Sequence, residues 1–281
     1  MTRRLFAVLW AVILACAATA QESVGELKKA ILMAYYGTLD TAARQASYDA
    51  LTMRVKTAFP DREVREACTS RSLASSLSEQ DGQPHPLLQE AMEQLLADGY
   101  NSIIVVTTEM IEGKAARLMQ QRLEQLRPRF FEIKQTTPLL YSADDCRRVL
   151  QVVVDSLQVQ PDEQAVLVGH GKNGAYDDVF CLADYILQHE GHANCHVGTV
   201  EGYPGLDNIK EILSQSGTAR VVLAPLMVTG GGHAKRYVAK KWREALEQQG
   251  YSVRCSSRGV LEYEGIRQLI VEKIRQADQR P

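Results

Sequence analysis

Short, uninterrupted apolar runs, each closed by glycine or a turn residue, recur along this chain, with stretches of helical length between them. Ala30-Ile31-Leu32-Met33-Ala34-Tyr35-Tyr36 ends at Gly37-Thr38, and Ser102 to Thr107 is a second run. Ala165-Val166-Leu167-Val168 leads to Gly169-His170-Gly171, and His196-Val197-Gly198-Thr199-Val200 leads to Glu201-Gly202. Val221 to Val228 leads to Gly230-Gly231-Gly232-His233. A strand apolar on both faces must be covered on both, so such runs belong to parallel sheets with helices on each side. Strands alternating with helices are joined by right-handed crossovers, which bring their carboxyl ends to one edge of the sheet.

The alternation runs through twice. In the first half, helices are predicted over Thr41–Ala58 (stopped by Pro60-Asp61), Leu87–Asp98 (stopped by Gly99) and Lys114–Leu126 (ended by Pro128). Glu63–Cys68 alternates as a half-buried strand, and Phe130–Gln135 reads as another. In the second half, helices are predicted over Asp144–Gln158, Tyr176–His189, Leu206–Ser216, Ala234–Gln249 and Tyr263–Gln276, and Ser252–Cys255 is short and extended. The expected fold is α/β: two similar Rossmann-like domains, each a parallel sheet flanked by helices, with a ligand cleft between them. Residues 21–143 form the first domain and residues 144–281 the second.

The N-terminus is of another kind. Arg3-Arg4 precede the apolar stretch Leu5 to Ala15, and Ala18-Thr19-Ala20 offers a small-residue cleavage site. Residues 1–20 therefore read as a secretory signal peptide, too short for a stable membrane span, and the protein is expected in a bacterial periplasm. Two variants of export stay open: a twin-arginine signal, or lipidation of Cys16 in Ile13-Leu14-Ala15-Cys16 as an anchor. The chain as a whole is 45% hydrophobic with a formal net charge of −2, which gives no reason to expect nucleic acid or an anionic membrane as partner. Cys68, Cys146, Cys181, Cys195 and Cys255 form no C-x-x-C pair and suggest neither a zinc knuckle nor a disulfide framework.

In an open α/β sheet, ligands bind beyond the carboxyl ends of the strands. His170, Glu201 and His233 all fall at such ends. Two imidazoles and a carboxylate brought to one edge make a mixed N/O metal site with positions left for a substrate. Histidines elsewhere read differently. His189-Glu190-Gly191-His192 lacks the i, i+4 spacing of a zinc-protease helix, and His189, His192 and His196 are taken as surface residues. His85, in Gln83-Pro84-His85-Pro86, is taken as an exposed loop residue.

Gly169-His170-Gly171, Val197-Gly198-Thr199-Val200-Glu201-Gly202-Tyr203-Pro204 and Leu223-Ala224-Pro225-Leu226-Met227 leading to His233-Ala234 together resemble the anaerobic (class II) sirohydrochlorin cobalt chelatases. Tyr36-Gly37-Thr38, Ala58-Phe59-Pro60 and Thr69-Ser70 extend the likeness into the first half, so that it spans residues 28 to 276. The resemblance implies a bilobal fold shared with ferrochelatases, and insertion of a divalent metal, Co²⁺ or else Fe²⁺, into a tetrapyrrole on the route to cobalamin, without ATP. It implies that His170, Glu201 and His233 hold the incoming metal and that His170 or His233 accepts pyrrole protons. A tetrapyrrole rimmed with carboxylates further points to Lys172, Lys235 and Arg236 as its cationic partners and to Tyr36 as a cleft wall.

The chain departs from the family pattern in two places. Where the family has a His-x-x-Pro-Gly-Glu-like string, this chain has Glu109-Met110-Ile111-Glu112-Gly113-Lys114. Where the family places an acid immediately before the second histidine and Asn-Asp after it, Gly232 precedes His233 and Arg236-Tyr237 come after. Acidic groups are lost and cations gained, so two further readings stay open: a periplasmic tetrapyrrole- or metal-binding protein without turnover, and a haem dechelatase.

Overall fold

The computed structural model describes residues 27–280 except 173 and 175; the signal peptide expected over residues 1–20, with Cys16 inside it, lies outside the described residues. No helix among the described residues is long and apolar enough to cross a membrane.

The first half builds a four-stranded parallel sheet from β1 (Lys28–Tyr35), β2 (Glu63–Cys68), β3 (Tyr100–Thr107) and β4 (Glu132–Gln135), in the order β2-β1-β3-β4. The second half repeats that order as β6-β5-β7-β8, from β5 (Glu163–Gly169), β6 (Cys195–Thr199), β7 (Arg220–Pro225) and β8 (Ser252–Cys255). In both sheets the first and third strands are central, and every ladder is parallel. The interiors of β1, β3, β5 and β7 are buried almost without break, as strands covered on both faces require.

The helices supply that cover. The first, α1, runs from Thr41–Arg44 through a π-helical turn at Gln45–Asp49 into Ala50–Ala58, and the Asp40 carboxylate accepts from Ala43 N at 3.1 Å to cap it. Next come α2 (Arg71–Asp81), α3 (Leu88–Ala97) and α4 (Lys114–Leu126). In the second half, α5 (Ala143–Leu157), α6 (Asp178–His189) and α7 (Leu206–Ser216) are followed by α8, a π-helix over Ala234–Trp242 that continues as Arg243–Glu247. The chain closes with α9 (Glu264–Gln279). Met92 and Leu95 of α3 with Met119 and Leu123 of α4 seal one face of the first sheet. Ile209 and Leu213 of α7 with Val238 and Trp242 of α8 do the same for the second. The inner faces of both sheets share one continuous apolar cluster, carried across by α5 and α9.

Several expectations need correction. The helix α2 is not anticipated from the sequence, because its Ser-rich stretch offers only Leu73, Ala74 and Leu77 as an apolar side. Its ends carry a clearer signal: Ser70 stands at the N-cap and Gly82 ends the helix in the left-handed region at φ 66°. The division at residue 144 assigns α9 to the second half, yet this helix packs on α1 and the first sheet, with Arg62 paired to Asp278 at 2.6 Å. Helical periodicity shows that a helix has an apolar face and says nothing of which sheet it covers. His196 is buried, not on the surface: it lies within β6, where Gln188 and Gln164 meet its two ring nitrogens, both at 3.0 Å. His85 is half-buried against Asp81, 2.7 Å away, which Arg44 also contacts. The five cysteines named above are unpaired.

Candidate metal and tetrapyrrole site

The backbone ladder of the second sheet continues beyond the strands and sets out the site. Val200 N donates to Gly169 O at 3.0 Å, Glu201 N to His170 O at 2.9 Å, and Leu226 N to Val168 O at 2.8 Å. Glu201 is thereby held beside His170, one strand over. Glycines make this edge thin enough to form. A Cβ on Gly169 would lie 2.4 Å from the Phe180 ring. Gly171, at φ +66°, turns the chain after His170, and a Cβ there would lie 2.8 Å from Gly202 N. The Asp177 carboxylate accepts from Lys172 N at 2.9 Å and lies over Gly202, so the His170 and Glu201 loops support one another.

The loop geometry fixes the role of one nitrogen of His170. Its Nδ1 lies 2.7 Å from the carbonyl oxygen of Gly171, which can only accept, so Nδ1 is the donor there and Nε2 is the nitrogen left to hold a metal. That Nε2 is 3.2 Å from Nδ1 of His233, which stands at the head of α8. The ring centroids are 5.1 Å apart. Two imidazole nitrogens sharing one metal at about 2.0–2.1 Å lie roughly 2.9–3.4 Å apart, depending on whether the angle at the metal is nearer square or tetrahedral. Burial and then the nearby His170, Arg236 and Lys172 hold His233 below the ordinary histidine range, against the opposing pull of Glu201. A neutral imidazole is the form that binds a metal.

The remaining candidates divide. The side chain of Glu201 is exposed at the same edge, and no group of three His, Cys, Asp or Glu side chains among the described residues is poised to hold a metal ion. Two imidazoles are thus brought together and the carboxylate waits beside them. Lys172 and Arg236 are exposed near the pair, and Tyr36 is exposed at the end of β1 on the facing half. Lys235 is different: it forms an ion pair with Asp40 of the first half. Tyr35, by contrast, is core, stacked on Tyr48 at 4.3 Å.

Other groups at the cleft escaped sequence reasoning. Asp40 and Asp177 act through contacts between segments distant in sequence, which leave no local pattern. Arg117 of α4 lies over the Tyr176 ring at 4.6 Å, a further tie between the halves. Tyr237 stands 5.7 Å from the His233 ring, one helical turn on, and that spacing was visible. A separate pocket of about 250 Å³ in the first half is lined by Arg44, Glu66, Cys68, Asp81 and His85.

The family model for cobalt chelatase (CbiK) matches residues 29–279 of the chain. The chain is 26% identical over 256 residues to a sirohydrochlorin cobaltochelatase of Salmonella typhimurium, covering 89% of this chain and 97% of that protein. It is 28% identical over 258 residues to the sirohydrochlorin cobaltochelatase CbiKC of Nitratidesulfovibrio vulgaris, covering 87% and 89%. Among solved structures, SirB from Bacillus subtilis with Fe³⁺ superposes with a TM-score of 0.66 at 15% identity, covering 90% of this chain and 96% of that one. The sirohydrochlorin chelatase SirB in complex with cobalt, from a Bacillus subtilis subspecies, gives 0.64 at 15% identity, covering 91% and 97%. These two likenesses speak for the fold.

Proposed function

The chain belongs to the cobalt chelatase (CbiK) family, and on that premise we propose that it inserts a divalent metal into sirohydrochlorin or a closely related tetrapyrrole without ATP. Co²⁺ is the first candidate and Fe²⁺ the second. The observation that carries the reading is the 3.2 Å approach of His170 Nε2 to His233 Nδ1, with His170 Nδ1 engaged by the Gly171 carbonyl so that Nε2 is the nitrogen facing its partner. In this reading His170 and His233 hold the metal substrate, and the Glu201 carboxylate joins them from the neighbouring strand. Imidazole and carboxylate suit Co²⁺ and Fe²⁺ alike, and site geometry discriminates where raw affinity does not.

The macrocycle enters between the halves. Lys172 and Arg236 meet its rim carboxylates through charge-assisted hydrogen bonds, and Tyr36 lies against it from the first half. Lys235 serves the rim only on leaving Asp40. Residues 1–20 direct the protein to the periplasm in this reading.

The test follows sirohydrochlorin absorbance anaerobically with Co²⁺ or Fe²⁺, for wild type, His170→Ala, His233→Ala and metal alone. Acceleration by wild type that both variants lose is the expected result. Macrocycle binding with no gain over metal alone would replace the reading by a carrier, and metal release from haem would replace it by a dechelatase.

A further inference from the structure

Insertion of a divalent metal displaces two protons from pyrrole nitrogens, and an imidazole whose lone pair holds the metal cannot take them. A base on the other wall of the cleft meets this need. We propose that Glu109 is the catalytic proton acceptor, facing the macrocycle from the first half while His170 and His233 hold the metal on the second; the proposal rests on the metal-insertion reading above.

Glu109 lies two residues beyond the carboxyl end of β3, a central strand of the first sheet. Its backbone is fixed on both sides: Glu109 N donates to Thr107 Oγ1 at 3.2 Å, and Leu139 N donates to Glu109 O at 3.1 Å. Its side chain is half-buried, and its carboxylate has no hydrogen bond or ion pair among the described residues. Other acids of this wall are committed or solvated. Asp40 pairs with Lys235, Glu66 accepts from Thr52 Oγ1 at 2.5 Å, and Asp49 and Glu112 are exposed.

The charged and titratable groups that interact electrostatically with Glu109 are Lys172, from the loop that carries His170, and Tyr48 of α1. Lys172 acts electrostatically on both Glu109 and His233. Burial raises Glu109 above the usual carboxylate range, with Lys172 opposing, and a raised carboxylate is a stronger base. The step balances simply. One pyrrole N–H bond breaks, its electron pair stays on nitrogen and binds the metal, and the proton passes to the Glu109 carboxylate. The acid returns that proton to water in the open cleft and takes the second in the same way.

The experiment measures kcat and the KM for Co²⁺ against pH, for wild type, Glu109→Gln and Glu109→Asp, with thermal melts confirming that each variant folds. Glu109→Gln should lower kcat by about 100-fold, the lower end of what a positioned base supplies, and leave KM for the metal within about 2-fold. It should also lose the fall in kcat that wild type shows as the carboxylate protonates toward acid pH. Glu109→Asp should recover part of kcat and keep that fall. Glu109→Gln within about 3-fold of wild type with the same acid limb would overturn the proposal, as would equal loss in both variants with the limb unchanged. No acceleration by wild type would instead remove the metal-insertion reading, and this assignment with it.

Discussion

Glu163 offers a quantitative test of how the second sheet is held at the edge opposite the site. It opens β5 with a side chain only 2% exposed, and its carboxylate accepts from Arg254 Nε at 2.8 Å and Arg254 Nη2 at 2.7 Å. Gln160 N adds a bond at 3.0 Å and Arg220 lies at 3.4 Å. These donors, Arg254 foremost, pull the carboxyl from its ordinary value of 4.5 to about 2. A shift of that size corresponds to about 3 kcal/mol, and to about 2 kcal/mol once the half-exposed guanidinium groups are allowed for. Because the folded value is depressed, the stabilisation is fully present above the unfolded value and fades as pH falls toward about 2. Glu163→Gln keeps the shape but turns an amide N–H₂ toward guanidinium donors. Urea melts at pH 7 should show the variant about 2 kcal/mol less stable, or some 4–8 °C lower in Tm. At pH 3 more than half of that difference should be gone. A difference below about 0.5 kcal/mol at pH 7, or one as large at pH 3 as at pH 7, would refute the reasoning.

Two more outcomes are expected from contacts at the site. Gly169→Ala sets a methyl 2.4 Å from Cε1 of Phe180, whose ring is buried, so stability should fall by about 1–3 kcal/mol in a thermal melt. Adding Phe180→Leu to that variant should restore part of the loss, and a double variant no better than the single one would sink the clash as its cause. Asp40→Asn keeps the cap on α1 but frees Lys235, so a polycarboxylate tetrapyrrole should bind up to about 5-fold tighter at low salt, the gain shrinking at high salt. Fluorescence titration at two ionic strengths decides it, and unchanged affinity would show that Lys235 does not reach the substrate rim.

The sheets and the histidine pair were legible because their causes are local. An apolar run such as Ala165–Val168 must be covered on both faces, and a parallel sheet delivers the residues just past its strands, His170 among them, to one edge. The features that escaped depend on which distant segments meet. Lys235 looks from its spacing like a free cation beside His233, and only the fold reveals Asp40 against it. His196 looks like a polar strand start, and its burial depends on Gln188 and Gln164 arriving from two other elements. A buried imidazole with both nitrogens met is satisfied, and burial lowers its pKa against the opposing pull of Asp184. Glu109 stands in sequence where the family pattern has a histidine, and nothing in its local pattern reveals that its side chain is half-buried.

The two ends of the cleft differ in strength, and that difference bears on how a flat macrocycle gets in. At the base, α5 and α9 run one apolar cluster through both halves, and Arg62–Asp278 and Lys273–Asp145 reinforce the α9 seat at 2.6 Å and 2.5 Å. Burial of that kind stabilises by about 1.5–3 kcal/mol for each large side chain. At the rim, the ties are the Asp40–Lys235 pair, with Lys235 58% exposed, and the Arg117–Tyr176 contact. An exposed ion pair contributes about 0.2–1 kcal/mol and an exposed cation–π contact about 0.5–1 kcal/mol. In the proposed reading the carboxylates of the macrocycle take Lys235 over from Asp40, so that opening the rim exchanges this weak tie for a charge-assisted bond. The histidine pair is spared in that exchange, because the Gly171 carbonyl and the β5–β6 ladder that fix His170, and the head of α8 that carries His233, belong wholly to the second half.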